Sequence, residues 1–158
     1  MPNEDCILWK WWKVCQRSLS NKSNKLVAII DDELDITGLF RDALGQISGI
    51  SIFTFTNPIM AFEHFKINRK DYRLIVSDLR MPGINGIELL KRIKELNPLV
   101  RTVLMTAFEF DDELFQQYAE KQIINGFLQK PILLKDLVKE VDNQLHIYQL
   151  QEHKTRVQ

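Results

Sequence analysis

From Leu26 onward, short apolar runs alternate with stretches whose apolar residues recur at helical spacing. The runs are Leu26–Ile30, Leu74–Val76, Thr102–Met105 and Ile123–Leu128. Each is nearly continuous rather than alternating, the pattern of a parallel strand covered on both faces. Ile50–Phe55 is more mixed and suits an edge strand. Between the runs, Ile36, Leu39, Phe40, Ala43, Leu44 and Ile47 share one helical face, as do Ile87, Leu90 and Ile93. Pro58 after Asn57 marks a helix start that runs to about Asn68. The longest stripe is Leu134, Leu137, Val138, Val141, Leu145 and Tyr148. Asp111–Glu120 is the weakest helix, with Leu114, Phe115, Tyr118 and Ala119 to bury and Asp111 and Asp112 to complement its dipole. Five strands alternating with five helices predict an α/β fold, a doubly wound parallel sheet with helices on both faces.

Composition narrows the function without choosing it. The 158 residues suit one domain, and 45% hydrophobic with 27% charged residues is enough for one core. Lys plus Arg number 21 and so do Asp plus Glu, so no net charge argues for nucleic acid as a partner. Cys6 and Cys15 do not sit at metal-ligand spacing, and a reducing cytoplasm is the expected location. A polar stretch, Ser20–Lys25, predicts a boundary between an extension over residues 1–24 and a domain over 25–150, with 151–158 as a tail.

The chemistry-bearing residues fall just after strands. Asp31 and Asp32 follow the first, Asp78 the third, Thr106 the fourth and Lys130 the fifth. In open α/β sheets ligand groups gather at the carboxyl ends of strands, where strand order reverses. Were the order 2-1-3-4-5, the first and third strands would be neighbours and the three aspartates would meet. Three packed carboxylates repel one another unless a cation joins them, and Mg2+ is the usual oxygen-liganded ion beside phosphate chemistry. Lys130 adds a positive charge and Thr106 a hydroxyl, a set suited to an anionic phosphoryl group with Asp78 as nucleophile. Each residue alone has a plainer reading: Asp31-Asp32-Glu33 as a solvated helix start, Asp78 as a strand end, Lys130 as a surface lysine at a turn. Gly83 and Gly86 read as loop glycines permitting positive φ. His64, His146 and His153 read as surface or helix residues.

Four segments in order resemble the receiver (CheY-like) domain family: Val27-Ala28-Ile29-Ile30-Asp31-Asp32-Glu33; Ser77-Asp78-Leu79-Arg80-Met81-Pro82-Gly83 with Asn85-Gly86; Leu104-Met105-Thr106-Ala107; and Gln129-Lys130-Pro131. The resemblance covers about Lys25 to Leu150. It implies the flavodoxin-like strand order 2-1-3-4-5, with Asp78 as phosphoacceptor. Asp32, Asp78 and the Arg80 backbone carbonyl would hold Mg2+, with Asp31 assisting through water. Thr106 and Lys130 would contact the phosphoryl oxygens. Phe127 takes the place of a switch aromatic that is more often Tyr, and Pro131 would follow a cis peptide bond. The implied function is a two-component or phosphorelay switch, a phosphoprotein that catalyses its own phosphorylation and dephosphorylation rather than a metabolic enzyme. A histidine kinase or histidine phosphotransfer protein would be the donor, and a downstream protein the output, since eight residues after Leu150 are too few for an output domain.

Two rival readings fit the same residues less well. A haloacid-dehalogenase-like phosphatase uses Asp-x-Asp at its first strand, where this chain has adjacent aspartates. A receiver fold used purely for binding has no need of the full set Asp31, Asp32, Asp78, Thr106 and Lys130. The extension has its own pattern. Ile7, Leu8, Trp11, Val14, Cys15 and Leu19 share a helical face, and through Lys25 it carries five basic and two acidic residues. An amphipathic helix over about Asp5–Leu19 would dock on a partner, a second copy, the receiver itself or an anionic membrane surface. A leader without structure is the plainer alternative. Phe108 and Phe110 read equally as loose core or as partner surface.

Overall fold

A computed structural model describes residues 25–107 and 112–157. The expected Asp5–Leu19 helix, both cysteines, Phe108, Phe110 and Asp111 lie outside the described residues. The elements are β1 (Lys25–Ile30), α1 (Leu34–Leu44), β2 (Ile50–Phe55), α2 (Pro58–Asn68), β3 (Tyr72–Asp78), α3 (Gly86–Leu96), β4 (Arg101–Thr106), α4 (Asp112–Glu120), β5 (Gly126–Gln129) and α5 (Leu134–Val157). The five strands form one parallel sheet in the order β2-β1-β3-β4-β5, so β2 is an edge as its mixed pattern predicts.

Side-chain alternation sorts each strand's apolar run onto two faces. Val27, Ile29, Leu74, Val76, Val103 and Met105 pack with Phe40 and Leu44 of α1 and Leu137 and Val141 of α5. Leu26, Ala28, Ile30, Ile75 and Leu104 pack on the other side with Phe65 of α2 and Leu89, Leu90 and Ile93 of α3. Full burial of such side chains is worth about 1.5–3 kcal/mol each, so the two-sided core outweighs any single polar contact. Helix starts follow local chemistry. The Asn57 side chain accepts from Ile59 N at 2.9 Å with Pro58 at the first helical position, and Asn85 accepts from Glu88 N at 2.9 Å.

The last helix, α5, runs on to Val157. One expectation needs correction. On α4, Phe115 and Tyr118 pack against the core, but Leu114 is 40% exposed and Ala119 is also exposed. A nine-residue helix lying on one sheet face has room to bury only one narrow stripe. His64 is a helix residue, one of the two readings expected of it. It is half-buried on α2 among Phe53, Phe55 and Tyr72, with Nδ1 2.7 Å from the Tyr72 hydroxyl, and burial lowers its pKa. Among the described residues no helix is long and apolar enough to cross a membrane.

At the amino ends of β4 and β5 a polar knot replaces apolar packing. Lys94 Nζ donates to Val100 O at 2.6 Å and to Asn125 Oδ1 at 2.7 Å, and Thr102 N donates to the same Asn125 oxygen at 3.0 Å. Burial first, then the charge of Arg101, lowers the Lys94 pKa to about 8. The unfolded chain, with an ordinary lysine, therefore binds more protons between about pH 8 and 10.5. Stability should rise with pH through that window, on the order of 1–2 kcal/mol after solvent screening. Denaturant unfolding of wild type and Lys94→Met across the window checks this; a difference between them that does not change with pH would contradict it.

Candidate functional site

The carboxyl ends of β1, β3, β4 and β5 converge because β1 and β3 are direct neighbours and β4 and β5 follow. Asp31, one residue past β1, has no exposed surface, and Asp78 closes β3 with 7% exposed. Asp32 is exposed beside them. One carboxylate oxygen from each of Asp31, Asp32 and Asp78 lies within 4.8 Å of the others. Lys130, just past β5, reaches across β4 to this cluster. Its Nζ donates to Asp31 Oδ2 at 2.8 Å and stands 3.4 Å from Asp78 Oδ1.

Backbone groups hold the acids in place. Asp31 Oδ1 accepts from Glu33 N at 3.0 Å, and Asp78 Oδ1 accepts from Leu79 N at 3.0 Å. Lys130 N donates to Thr106 O at 2.7 Å, tying the ends of β4 and β5 together. Thr106 is 1% exposed. The Lys130–Pro131 peptide bond is cis. Arg80 is exposed beyond β3. Phe127, half-buried on β5, packs edge-on against Phe115 of α4 with ring centroids 4.8 Å apart. The structure thus brings Asp31, Asp32, Asp78 and Lys130 together, with Thr106 at the neighbouring strand end. Phe127 lies on the α4 side of the sheet.

The electrostatics follow from this crowding. Burial first, then the charge of Asp31, pushes the Asp78 carboxyl above its ordinary range, and Lys130 only partly offsets this. For Lys130, burial works against the ammonium, but the hydrogen bond and charge of Asp31, followed by those of Asp78, hold its pKa above the usual lysine value. A carboxylate that resists ionisation beside two others is short of positive charge. An all-oxygen donor set of this size fits a hard divalent cation.

Gly86 is the residue whose role the sequence pattern missed. Gly83 has the expected positive φ of 91°, but Gly86 does not; it opens α3 as an ordinary helical residue. A Cβ at Gly86 would overlap the Asp78 carbonyl oxygen and come within 3.0 Å of the Asp78 carbonyl carbon and of Leu104 Cδ1. The glycine lets the start of α3 press against the backbone that carries Asp78, where Gly86 N donates to Leu79 O at 2.8 Å. A glycine directly after a helix-capping asparagine was the available signal, since helix openings need no positive φ.

Comparison with known proteins agrees with this geometry. The response regulator receiver domain family matches residues 27–142. The chain belongs to that family. It is 30% identical over 133 residues to the DNA-binding transcriptional regulator NtrC of Escherichia coli K12, covering 84% of this chain and 27% of that protein. It therefore spans about a quarter of that relative's length. Sporulation initiation phosphotransferase F of Bacillus subtilis is 32% identical over 85 residues, 54% of this chain and 66% of that one. A response regulator receiver domain protein from Clostridium thermocellum shares the fold, with a TM-score of 0.69 and 24% identity over 80% of this chain and 98% of its own. The match places the chain among the receiver domains of response regulators.

The close approach at Gly86 generates a prediction for the receiver. Gly86→Ala should destabilise it by about 1–3 kcal/mol, the usual cost of overpacking a tight site, and should shift the Asp31, Asp78 and Leu79 amide resonances. Denaturant unfolding and amide spectra unchanged from wild type would contradict the packing argument.

Proposed function

We propose that this receiver accepts a phosphoryl group on Asp78 with Mg2+ and signals through protein–protein binding. The observation that carries the reading is the cluster of Asp31, Asp32 and Asp78, with Lys130 Nζ 3.4 Å from Asp78 Oδ1. Asp32, Asp78 and the Arg80 backbone carbonyl would hold the ion, with Asp31 assisting through water. When bound, Mg2+ supplies charge that offsets both the carboxylates and the incoming phosphoryl oxygens.

The donor is a phosphohistidine of a histidine kinase or phosphotransfer protein. An Asp78 carboxylate oxygen attacks phosphorus as the donor's P–N bond breaks, and the electron pair stays on the imidazole nitrogen. The product is an acyl phosphate on Asp78. Lys130 pairs with a phosphoryl oxygen and the Thr106 hydroxyl donates to another, so the chain contributes mainly position and charge. The same groups serve when water later attacks phosphorus and releases inorganic phosphate. The relationship to a protein named as a phosphotransferase supports this chemistry.

Transmission follows from the neighbourhood of Thr106. Movement of its side chain toward the phosphoryl group vacates space on the α4 side, and Phe127 turns into that space. Having no hydroxyl to donate, Phe127 is placed by the packing of its ring, which meets Phe115 edge-on. The surface of α4, β5 and α5 thereby has two arrangements for a downstream protein to distinguish.

Two outcomes test the proposal. Acetyl phosphate with Mg2+ should add one phosphoryl group by intact mass, and Asp78→Asn or chelation of the metal should abolish the addition. Equal labelling of Asp78→Asn would remove Asp78 as the acceptor. Thr106→Ala should still be labelled but should lose most of the phosphorylation-dependent amide shifts in α4 and β5. Identical shifts in wild type and Thr106→Ala would refute this route of transmission.

A further inference from the structure

At the opposite end of the sheet, where β1, β2 and β3 begin, a cavity of about 470 Å³ opens between α5 and the loop after α1. Its walls carry Lys25, Arg73, His146, Tyr148, Glu152 and Arg156. Arg73 is the notable one, with 8% of its surface exposed. Its Nη1 donates to Lys70 O at 2.8 Å, and its guanidinium stacks on Tyr148 with Cζ 4.7 Å from the ring centroid. Glu152 is 4.0 Å from Nη2, beyond hydrogen-bond distance, and pairs at 3.1 Å with Arg156 instead. Among the described residues, Arg73 Nε is the buried side-chain nitrogen with no hydrogen-bond partner.

A guanidinium has five N–H donors and no means of shedding its charge. Burying one with a single full hydrogen bond is costly, and such an orphan asks for a partner. The aromatic face satisfies the plane of the ion but none of its donors. Nε is sealed from solvent and Nη1 is taken by Lys70 O, so an oxyanion in the cavity would pair with the Nη2 side of the guanidinium, which faces Glu152 on the wall. Carboxylates and phosphates are the oxyanions that arginine best matches. Lys25 and Arg156 on the rim add charge of the same sign. Asp142 and Glu152, also on the wall, leave a surplus of one cation with His146 neutral. Ile47 and Ile50 offer an apolar patch to the body of a ligand.

We propose that this cavity binds a small organic oxyanion, a carboxylate or a phosphate ester, whose head group pairs with the Arg73 guanidinium. The site lies five residues along β3 from Asp78, about 16 Å at strand rise. Its ligand therefore does not compete with the phosphoryl group. It would bridge β3 to α5 through Arg73 and Arg156, joining the core to the last turns of that helix.

Amide NMR of the full chain without Mg2+ tests this, with inorganic phosphate, citrate and adenosine monophosphate titrated to about 10 mM, a range suited to weak ligands. At least one should give saturable shifts at Lys25, Arg73, His146 and Tyr148; which of them does so tells a carboxylate site from a phosphate site. Arg73→Lys keeps the charge but loses the fork, and should weaken binding about tenfold. Replacing both Lys25 and Arg156 by Gln should weaken it about threefold, whereas Glu152→Gln should tighten it by releasing Arg156 and removing a negative charge from beside Arg73. Lys121→Gln, remote from the cavity, should change nothing. Should Arg73→Lys fail to fold, the rim variants decide. No saturable shift with any probe, shifts reproduced by sodium chloride at equal ionic strength, or shifts insensitive to the rim variants would overturn the proposal.

Discussion

The ammonium of Lys130 between Asp31 and Asp78 is the contact on which the carboxyl end of this sheet depends. Asp31 is fully buried, and a buried carboxylate without a partner is among the most expensive groups a fold can contain. Parallel order puts β1 beside β3 and so forces two acids together. Relief comes from β5, with β4 in between, by way of a long side chain whose own backbone N is tied to Thr106 O. Losing one partner of a buried pair typically costs about 3–5 kcal/mol. The balance holds only when the whole sheet is assembled, so the site is a product of the fold rather than of any local segment.

The pair is also incomplete. Asp78 remains above its ordinary pKa despite Lys130, because burial and Asp31 together exceed what one shared ammonium offsets. A site left short of positive charge, with three carboxylates close together, suits a hard cation. The other end of the sheet shows two contrasting solutions. Around Lys94, Thr102 and Asn125 the donors and acceptors satisfy one another, and that knot is structural. Around Arg73 they do not, although the residue is buried nearly as deeply as the acids.

Between the ends, stability is unevenly shared. α3 seats Leu89, Leu90 and Ile93 in the core, whereas α4 contributes Phe115 and Tyr118 from one narrow stripe. Elements with little buried apolar surface open at low cost and are the ones from which moving parts are drawn. The Phe115–Phe127 contact joins that sparsely anchored helix to the strand that precedes Lys130.

Periodicity alone determined the five strands, the five helices and the edge position of β2, because a strand covered on both faces must be apolar without interruption. It also determined where helices begin at Pro58, since capping is local chemistry. Asp31, Asp78 and Lys130 were legible as candidates from their places just after strands. Their meeting did not follow from position alone; it rested on the strand order 2-1-3-4-5 that the receiver resemblance implied, because residues this far apart in sequence are joined only by strand order. The reach of α5 to Val157 was hidden, as its last turns carry little apolar pattern. The half-burial of His64 and the burial of Arg73 came from packing by elements distant in the chain. Gly86 looked like a turn glycine, and only the contact of α3 with the Asp78 backbone revealed that the missing Cβ, not the dihedral angle, was what mattered. Sequence pattern reports what each segment prefers; which groups share a low-dielectric neighbourhood is decided when the segments pack.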